Sequence, residues 1–136
     1  MRIEGRLSKE GRWWAVEIPL LRLHTQGRTK KDAYSMTTDA IELAIDRRGF
    51  RVTVHPGASG SFGIEASDDT ALLAFALRQL RAASGKTVRE VAQRLGSTSP
   101  TAYSQYENGR RKPSVEKLTR LLRAIDDDLV ALITLA

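Results

Sequence analysis

The sequence predicts an α+β fold, in which a small β-β-β-α-β-β domain precedes an all-α domain. Through most of residues 1–66, apolar side chains alternate with polar ones, which is typical of half-buried strands. This alternation ends at Ser67, after which apolar side chains recur at helical spacing. The change of period predicts two domains, residues 1–66 and residues 67–136.

Five short runs of alternating residues predict the strands. Glycine, proline or serine residues lie near the ends of most of these runs, as is typical of turns between strands. We expect one face of the resulting sheet to be buried and the other to face water. The inward positions are, in chain order, Ile3, Gly5 and Leu7; Trp14, Val16 and Ile18; Leu21, Leu23 and Thr25; Phe50, Val52 and Val54; and Phe62, Ile64 and Ala66.

A helix is predicted between the third and fourth strands. Thr29 with Asp32 three residues later is typical of a helix N-terminus. Arg47 and Arg48 are expected in the last turn, with Gly49 directly after it. The spacing predicts an apolar face that comprises Ala33, Met36, Ala40 and Ala44, with Ile41 and Ile45 beside it.

Four helices are predicted in the second domain. Thr87 and Glu90 form a capping box at the start of the second helix. Ser99 is expected to cap the third helix, with Pro100 at its first position, where a missing N–H costs nothing. The predicted ranges are 68–83, 87–95, 99–108 and 114–125.

Composition narrows the classes of function. The chain of 136 residues has no cysteine, so disulfides and thiolate metal sites are excluded, and its two histidines are too few for a typical zinc site. We therefore expect neither a metal nor a cofactor. The net charge of +6 favours a polyanionic partner. Residues 78–123 carry eleven basic and three acidic side chains, so the basic excess is concentrated in the second domain.

The distribution of apolar residues argues against a membrane or exported protein. The first residues lack the apolar core of a signal peptide. No apolar run reaches the roughly 18 residues that a membrane span needs. We therefore expect a cytoplasmic protein with no membrane partner.

The second domain resembles the Xre, or lambda-repressor-like, helix-turn-helix family over about residues 72–126. The matching residues, in order, are Leu80-Arg81, Val91-Ala92, Leu95-Gly96, Tyr106-Glu107-Asn108-Gly109-Arg110-Arg111, Lys112-Pro113-Ser114 and Leu118. The resemblance implies binding to operator DNA through the third helix. It also implies a salt bridge between Arg81 and Glu107, and a core position for both Tyr103 and Tyr106.

The DNA-binding residues are expected at the third helix and directly after it. Gln105 is the best candidate base reader, because its amide can bond adenine N6 and N7 together. The basic run after the helix is expected to hold phosphates; solvated loop charge is the alternative. The complete set is Ser99, Thr101, Ser104, Gln105, Asn108, Arg110, Arg111 and Lys112.

The first domain resembles the HicB antitoxin family over about residues 1–50. The resemblance rests on residues 11–19, Gly-Arg-Trp-Trp-Ala-Val-Glu-Ile-Pro, and on residues 25–33, Thr-Gln-Gly-Arg-Thr-Lys-Lys-Asp-Ala. It implies a truncated RNase H-like fold and a HicA-like, mRNA-cleaving toxin as partner. The implied toxin-binding residues are Trp13, Glu17, Leu20 and Arg22, with Trp13 as a candidate anchor. Packing of Trp13 against the chain's own helix is equally compatible with the sequence.

Together the two resemblances imply an antitoxin of a type II toxin–antitoxin system that represses its own operon. The alternative is a stand-alone transcriptional regulator whose first domain senses a small ligand. Catalysis is not expected, because the strand carboxylates Glu4, Glu17 and Glu65 occupy the solvent positions of ordinary strands, and His24 and His55 lie in no recognisable catalytic motif.

The last eight residues, 129–136, carry no charge. One possibility is a further helix that closes the core of the same chain. The other is pairing across a two-fold axis, which we favour because helix-turn-helix domains commonly dimerise to span two half-sites. A homodimer or a higher even oligomer is therefore expected.

Overall fold

The computed structural model of the chain describes residues 1–135. The element order begins β1 (Ile3–Glu10), β2 (Trp13–Ile18), β3 (Leu23–Gly27), α1 (Lys30–Ile45), β4 (Val52–Pro56) and β5 (Ser61–Ala66). Four helices follow: α2 (Asp69–Ser84), α3 (Val88–Arg94), α4 (Thr101–Glu107) and α5 (Val115–Ile125). The predicted α+β class is confirmed.

The strands form one antiparallel sheet in the order β3-β2-β1-β5-β4. Alternation places Ile3, Val16 and Ile64 on the same side, where each is almost completely buried. Helix α1 packs on this side, and the ring of Tyr34 meets that of Phe62 edge to face at 5.4 Å. We call the other side, which carries the exposed residues of β1 and β2, the open face.

The buried face of α1 differs from the predicted one. Ala33, Thr37 and Ile41 are fully buried, whereas Met36 is 44% exposed and Ala44 faces solvent. Thr37 can occupy a core position because its hydroxyl donates to the Ala33 carbonyl at 2.8 Å, which satisfies the polar group inside the helix. The predicted buried face of α1 was therefore wrong, because the prediction counted only apolar residues and left out Thr37.

The end of α1 also differs from the prediction. The helix ends at Ile45, and Asp46 takes the left-handed conformation with φ 46° while its N–H donates to the Glu42 carbonyl. Gly49 instead lies in the following turn, with φ 79°. The expected basic last turn is therefore wrong, because Arg47 and Arg48 follow the helix.

Two residues expected in strands lie outside them. Leu21 is fully buried but belongs to a 3-10 turn, Pro19–Leu21, that follows β2. Phe50 is buried just before β4, and that strand continues through Pro56. Both side chains reach the predicted core without joining the ladder of backbone hydrogen bonds.

Helix α3 is bounded by the expected caps. Thr87 and Glu90 make the reciprocal hydrogen bonds of a capping box at the start of α3. At the end of α3, Ser97 N–H donates to the Ala92 carbonyl and Gly96 N–H to the Gln93 carbonyl, which is a Schellman motif. No helix in residues 1–135 is both long enough and apolar enough to cross a bilayer.

The chain divides into two compact units, Met1–Leu72 and Leu73 onward. The division lies inside α2, a few residues after the position that the sequence predicts. The start of α2 is held within the first unit, because Asp68 pairs with Arg47 at 3.0 Å and Asp69 with the amino group of Met1 at 3.7 Å.

We call residues 129–135 the tail. It contains neither helix nor strand, and most of its side chains are exposed. The further helix that would close the core of the same chain is therefore not present in these residues. Residue 136, the last of the predicted segment, lies outside the described part of the chain.

Candidate nucleic-acid interface

Helix α4 begins one residue later than expected, at Thr101. Pro100 nevertheless has helical angles, φ −71° and ψ −14°, and the hydroxyl of Ser99 accepts a hydrogen bond from Thr101 N–H at 3.2 Å. Ser99 therefore caps the start of the helix through its oxygen, while its O–H remains able to donate.

Two buried tyrosines fix which side of α4 faces outward. Tyr103 is 2% exposed and Tyr106 7% exposed, as expected for core positions. Thr101 and Ala102, one turn earlier, are exposed, and Gln105 is half-buried. Because residues three and four apart share a helix face, Thr101, Ala102 and Gln105 form the outward side of the helix.

The polar side chains at and near this side of α4 differ in which hydrogen-bond donors and acceptors remain available to contact bases. Within the described chain, the side-chain amide of Gln105 makes no hydrogen bond, so both its donor and its acceptor are available. The Ser104 hydroxyl donates to the Thr101 carbonyl at 2.9 Å, which leaves it able only to accept. The Asn108 side chain accepts from Arg110 N–H at 3.1 Å and thus shapes the turn after the helix.

The basic run follows this turn, and Arg110, Arg111 and Lys112 are all exposed. Its backbone is tied to α4, because the N–H groups of Arg110 and Arg111 both donate to the Gln105 carbonyl. The guanidinium of Arg111 also lies 5.6 Å from the ring of Tyr106. The three cations are therefore held next to the outward side of α4.

Two further residues belong to this surface and were not predicted from the sequence. The methyl group of Ala102 is suited to contact with a thymine methyl, and its position three residues before Gln105 was the available signal. The Lys117 ammonium lies 5.8 Å from the ring of Tyr106, which places another cation beside the basic run. Only the fold indicates this lysine, because α5 has to return next to α4.

A salt bridge joins α2 to the end of α4. Arg81 Nε donates to Glu107 Oε1 at 2.7 Å, and the Glu107 side chain is only 6% exposed. This hydrogen bond raises the pKa of the Arg81 guanidinium. Arg78 on the same helix donates to the backbone carbonyl of Glu107. The angle of α4 is thus fixed by two arginines of α2.

The Tyr103 hydroxyl lies in the same environment. It is buried, and it makes no hydrogen bond within the described residues. Burial, and next the negative charge of Glu107, raise the pKa of this phenol far above its ordinary value. Tyr103 therefore stays neutral and acts as a core residue.

Comparison with known proteins bears on this half of the chain. Residues 72–132 match the model of a family described as a helix-turn-helix domain. This part of the chain is a helix-turn-helix domain. The match covers α3 and α4, the two helices of the motif, and it supports DNA binding as the activity of the domain. A comparison of the chain with curated proteins gives no match.

The four residues expected to bind a toxin lie in two places. Trp13 and Glu17 share the open face of the sheet, since they alternate with the buried Val16 and Ile18. Leu20 lies in the 3-10 turn after β2, and Arg22 follows it in the left-handed conformation, with φ 50°. The Arg28 guanidinium lies 5.9 Å from the Trp13 ring, which is partly exposed.

The open face contains a groove of about 790 Å³. Its charged and polar lining includes Glu4, Glu10, Glu17, Arg6, His24 and Gln26, and the turn at Ala58–Ser61 forms one wall. Glu65, the third of the carboxylates considered above, is instead bonded to His55 at 2.7 Å, which lowers the pKa of Glu65. Acidic side chains thus outnumber basic ones in the groove.

Proposed function

We propose that the chain is a transcriptional repressor of the Xre type and that α4 reads the bases of its operator. The observation that carries the proposal is the outward side of α4, where Thr101, Ala102 and the unbonded Gln105 amide stand beside the basic run. These are the two parts that a specific DNA contact needs, since side chains on the helix distinguish base pairs and cations bind phosphates.

The two parts of this surface have separable effects. Replacing Gln105 with alanine removes a contact to base edges, and we expect operator affinity to fall about 10- to 100-fold while affinity for random DNA is unchanged. Replacing Arg111 with alanine removes a phosphate contact, so both affinities fall together and the salt slope decreases by about one. Fluorescence anisotropy at several salt concentrations measures the two affinities and the salt slope. The specific DNA is the segment upstream of the gene that encodes the chain, and the comparison is a random duplex of equal length.

The matched control is Arg48→Ala, which removes the same charge from an exposed position in the first unit. We expect Arg48→Ala to lower neither the affinity for the two duplexes nor the salt slope by as much as Arg111→Ala does. Equal losses on specific and random DNA for Gln105→Ala would contradict the role of Gln105 as a base reader.

We further propose that the repressor is a HicB-type antitoxin and that the open face of its sheet binds the toxin. The sequence resemblance over residues 1–50 supports this role, and the groove offers a binding surface. HicA-like toxins are generally basic, and Glu4, Glu10 and Glu17 in the groove supply local acids for such a partner. Trp13, on the same face, would supply the apolar anchor.

We also propose that this face binds and does not catalyse. Arg6 lies 3.9 Å from Glu4, and it is opposite Glu17 in the register of β1 and β2. A two-metal site needs adjacent carboxylates, and here a cation lies between them. RNA degradation by the purified protein that requires magnesium or manganese would contradict this proposal.

The antitoxin role predicts that changes on the open face separate neutralisation from DNA binding. Where a small basic protein is encoded beside this chain, Trp13→Ala with Glu17→Lys should abolish growth rescue in cells that express that protein, because the anchor is lost and a favourable charge is reversed. The same variant should bind the upstream DNA as the unmodified protein does. Growth curves and anisotropy provide the two readouts.

The control for this experiment is Leu43→Ala on α1, which is exposed on the other side of the sheet and should leave rescue intact. Full rescue by the double variant would contradict toxin binding at the open face. A genomic neighbourhood with no small basic reading frame would favour the ligand-sensing regulator.

A further inference from the structure

One end of the sheet in the first unit gathers cations around a tryptophan. In the register of the strands, Trp14 lies opposite Lys9 of β1 on one side and opposite Gly27 of β3 on the other. Helix α1 begins at Lys30, three residues after Gly27, so its first turn lies at the same end. We call Trp14 and the five exposed cations of this end the basic corner; the cations are Lys9, Arg12, Arg28, Lys30 and Lys31.

Two of these cations lie against the ring of Trp14. The ammonium group of Lys30 is 4.9 Å from the ring centre, and that of Lys9 is 5.7 Å from it. Each is attracted by the ring, although two like charges beside one ring also repel one another. The ring itself is partly exposed. The basic corner therefore presents an aromatic surface next to concentrated positive charge.

No acidic side chain neutralises this charge. Within residues 1–135, none of the five cations of the basic corner forms an ion pair. The carboxylate of Asp32 accepts a hydrogen bond from the backbone N–H of Arg28 at 2.9 Å, and Glu10 belongs to the groove of the open face. An anion from outside the chain would therefore lower the electrostatic energy of the basic corner.

Two of the cations also occupy positions that are unfavourable for the fold. Lys30 and Lys31 are the first two residues of α1, directly after its cap at Thr29. The N-terminus of a helix carries a partial positive charge, so acidic side chains stabilise it and cations do not. Local choices that oppose the fold are expected at functional positions, and here the opposing groups are those that bind anions.

We propose that the basic corner binds single-stranded RNA, with phosphates on the cations and a base stacked on the exposed part of Trp14. Cations beside an aromatic ring are the parts that bind single strands, because an unpaired base offers its face, whereas a duplex keeps its bases stacked on one another. An anionic membrane fits less well, since the half-buried Trp14 is not available to insert into a bilayer. The site goes beyond operator binding by α4 and does not rest on it.

The first test uses the fluorescence of the only two tryptophans, Trp13 and Trp14. In the full chain with Trp13→Phe, Trp14 is the only indole. Titration with an RNA of about 12 nucleotides that cannot pair with itself should cause a saturable loss of its emission, because a base stacks on the ring. Trp14→Phe is the matched control, in which the emission of Trp13 should change much less. The absence of a saturable loss in the first variant, or an equal loss in the control, would overturn the proposal.

The second test separates RNA binding from stability. Lys30→Glu should lower the affinity for this RNA at least about 10-fold and the salt slope by at least about 0.7. The same change should leave the urea midpoint of the first unit equal or higher, because an acid replaces a cation at the start of α1. The matched control is Arg48→Glu, the same reversal at an exposed position after α1, which should lower the affinity by no more than about 3-fold.

Equal losses of affinity for Lys30→Glu and Arg48→Glu would overturn the proposal, because net charge alone would then explain binding. Should Lys30→Glu lower the urea midpoint, Lys9→Gln decides, since it removes a cation from the same ring without altering α1. We expect Lys9→Gln to lower the RNA affinity about 3-fold or more. Unchanged affinity in this variant would overturn a role for the basic corner.

Other probes identify the occupant, with the emission of Trp14 as the readout. A DNA single strand of the same sequence should bind within about 3-fold of the RNA, because contacts with phosphates and base faces do not depend on the 2′-OH. A duplex of equal length and vesicles that contain phosphatidylserine should both bind more weakly. Tighter binding of any of these probes than of the RNA would overturn the assignment to RNA.

The last comparison keeps this site distinct from the proposed operator contact. Gln105→Ala and Arg111→Ala, which test operator binding, should leave the RNA-dependent loss of Trp14 emission unchanged. If Arg111→Ala abolished that loss, the RNA contact would belong to the helix-turn-helix domain, and the basic corner would be overturned as its site. If neither variant changed operator binding while Lys30→Glu still weakened RNA binding, the operator proposal would fail and the RNA site would remain supported.

Discussion

Replacing Arg81 with alanine is expected to lower the free energy of unfolding of the helix-turn-helix domain by about 3 kcal/mol, because the change leaves a buried carboxylate without its partner. Glu107 is only 6% exposed on its side chain, so water cannot readily replace the guanidinium. Operator affinity should fall with stability, since the salt bridge holds the end of α4 against α2. Urea unfolding followed by circular dichroism measures the first effect, and anisotropy the second.

A double variant separates the salt bridge from general damage. Adding Glu107→Ala to Arg81→Ala should cause little further loss, because the unpaired carboxylate is removed with its partner. Arg120→Ala, at an exposed position of α5, should change stability by no more than about 0.5 kcal/mol. Additive losses in the double variant would mean that Arg81 and Glu107 do not interact.

Replacing Gly27 with alanine is expected to destabilise the first unit by about 3 kcal/mol or more. A Cβ atom at this position would lie 2.3 Å from the backbone nitrogen of Ala33 and 2.7 Å from its Cα. These atoms belong to the first turn of α1, so they cannot move as a flexible side chain could. The close approach of β3 and α1 would have to open.

Gly11→Ala is the matched control for this change. Gly11 has φ 62° in the turn between β1 and β2, and a Cβ there meets nothing within 4 Å. Only the left-handed backbone would cost free energy, about 1–2 kcal/mol. The fluorescence of Trp13 and Trp14 during urea unfolding reports on the first unit, and equal losses for the two variants would mean that the contact with α1 is unimportant.

Much of the secondary structure could be predicted, because it depends on residues that are close together in the sequence. The capping box at Thr87 and the glycine after α3 act within one helical turn, so the sequence alone contains them. The same is true of the alternation in β1 and β2. The pairing of Arg81 with Glu107 joins residues far apart in the chain, and only the resemblance to a family indicated it.

The features that were missed are hydrogen bonds that hydrophobic spacing does not reveal, whether they are local or tertiary. Thr37 replaces an expected apolar residue in the core, because its hydroxyl is satisfied by its own helix. Asn108 also shapes the turn after α4, since its side-chain oxygen accepts from Arg110 N–H. The anchoring of α5 by Arg94 requires α3 and α5 to be adjacent, and no local pattern predicts that arrangement.

The order of the strands has a consequence for the biosynthesis of the chain. Strand β2 pairs with β1 and β3, its neighbours in sequence. The other edge of β1 pairs with β5, with Ile3 opposite Ile64, so this pairing can form only after β5 has been synthesised. At about 5–20 residues per second, a ribosome needs roughly 3–12 s to synthesise the intervening chain. During that interval one edge of β1, the central strand, is unpaired, and the apolar side chains of Ile3 and Leu7 are more exposed to water than in the folded chain. Slow synthesis between residues 50 and 66 should therefore increase aggregation of the nascent chain more than slow synthesis after residue 66.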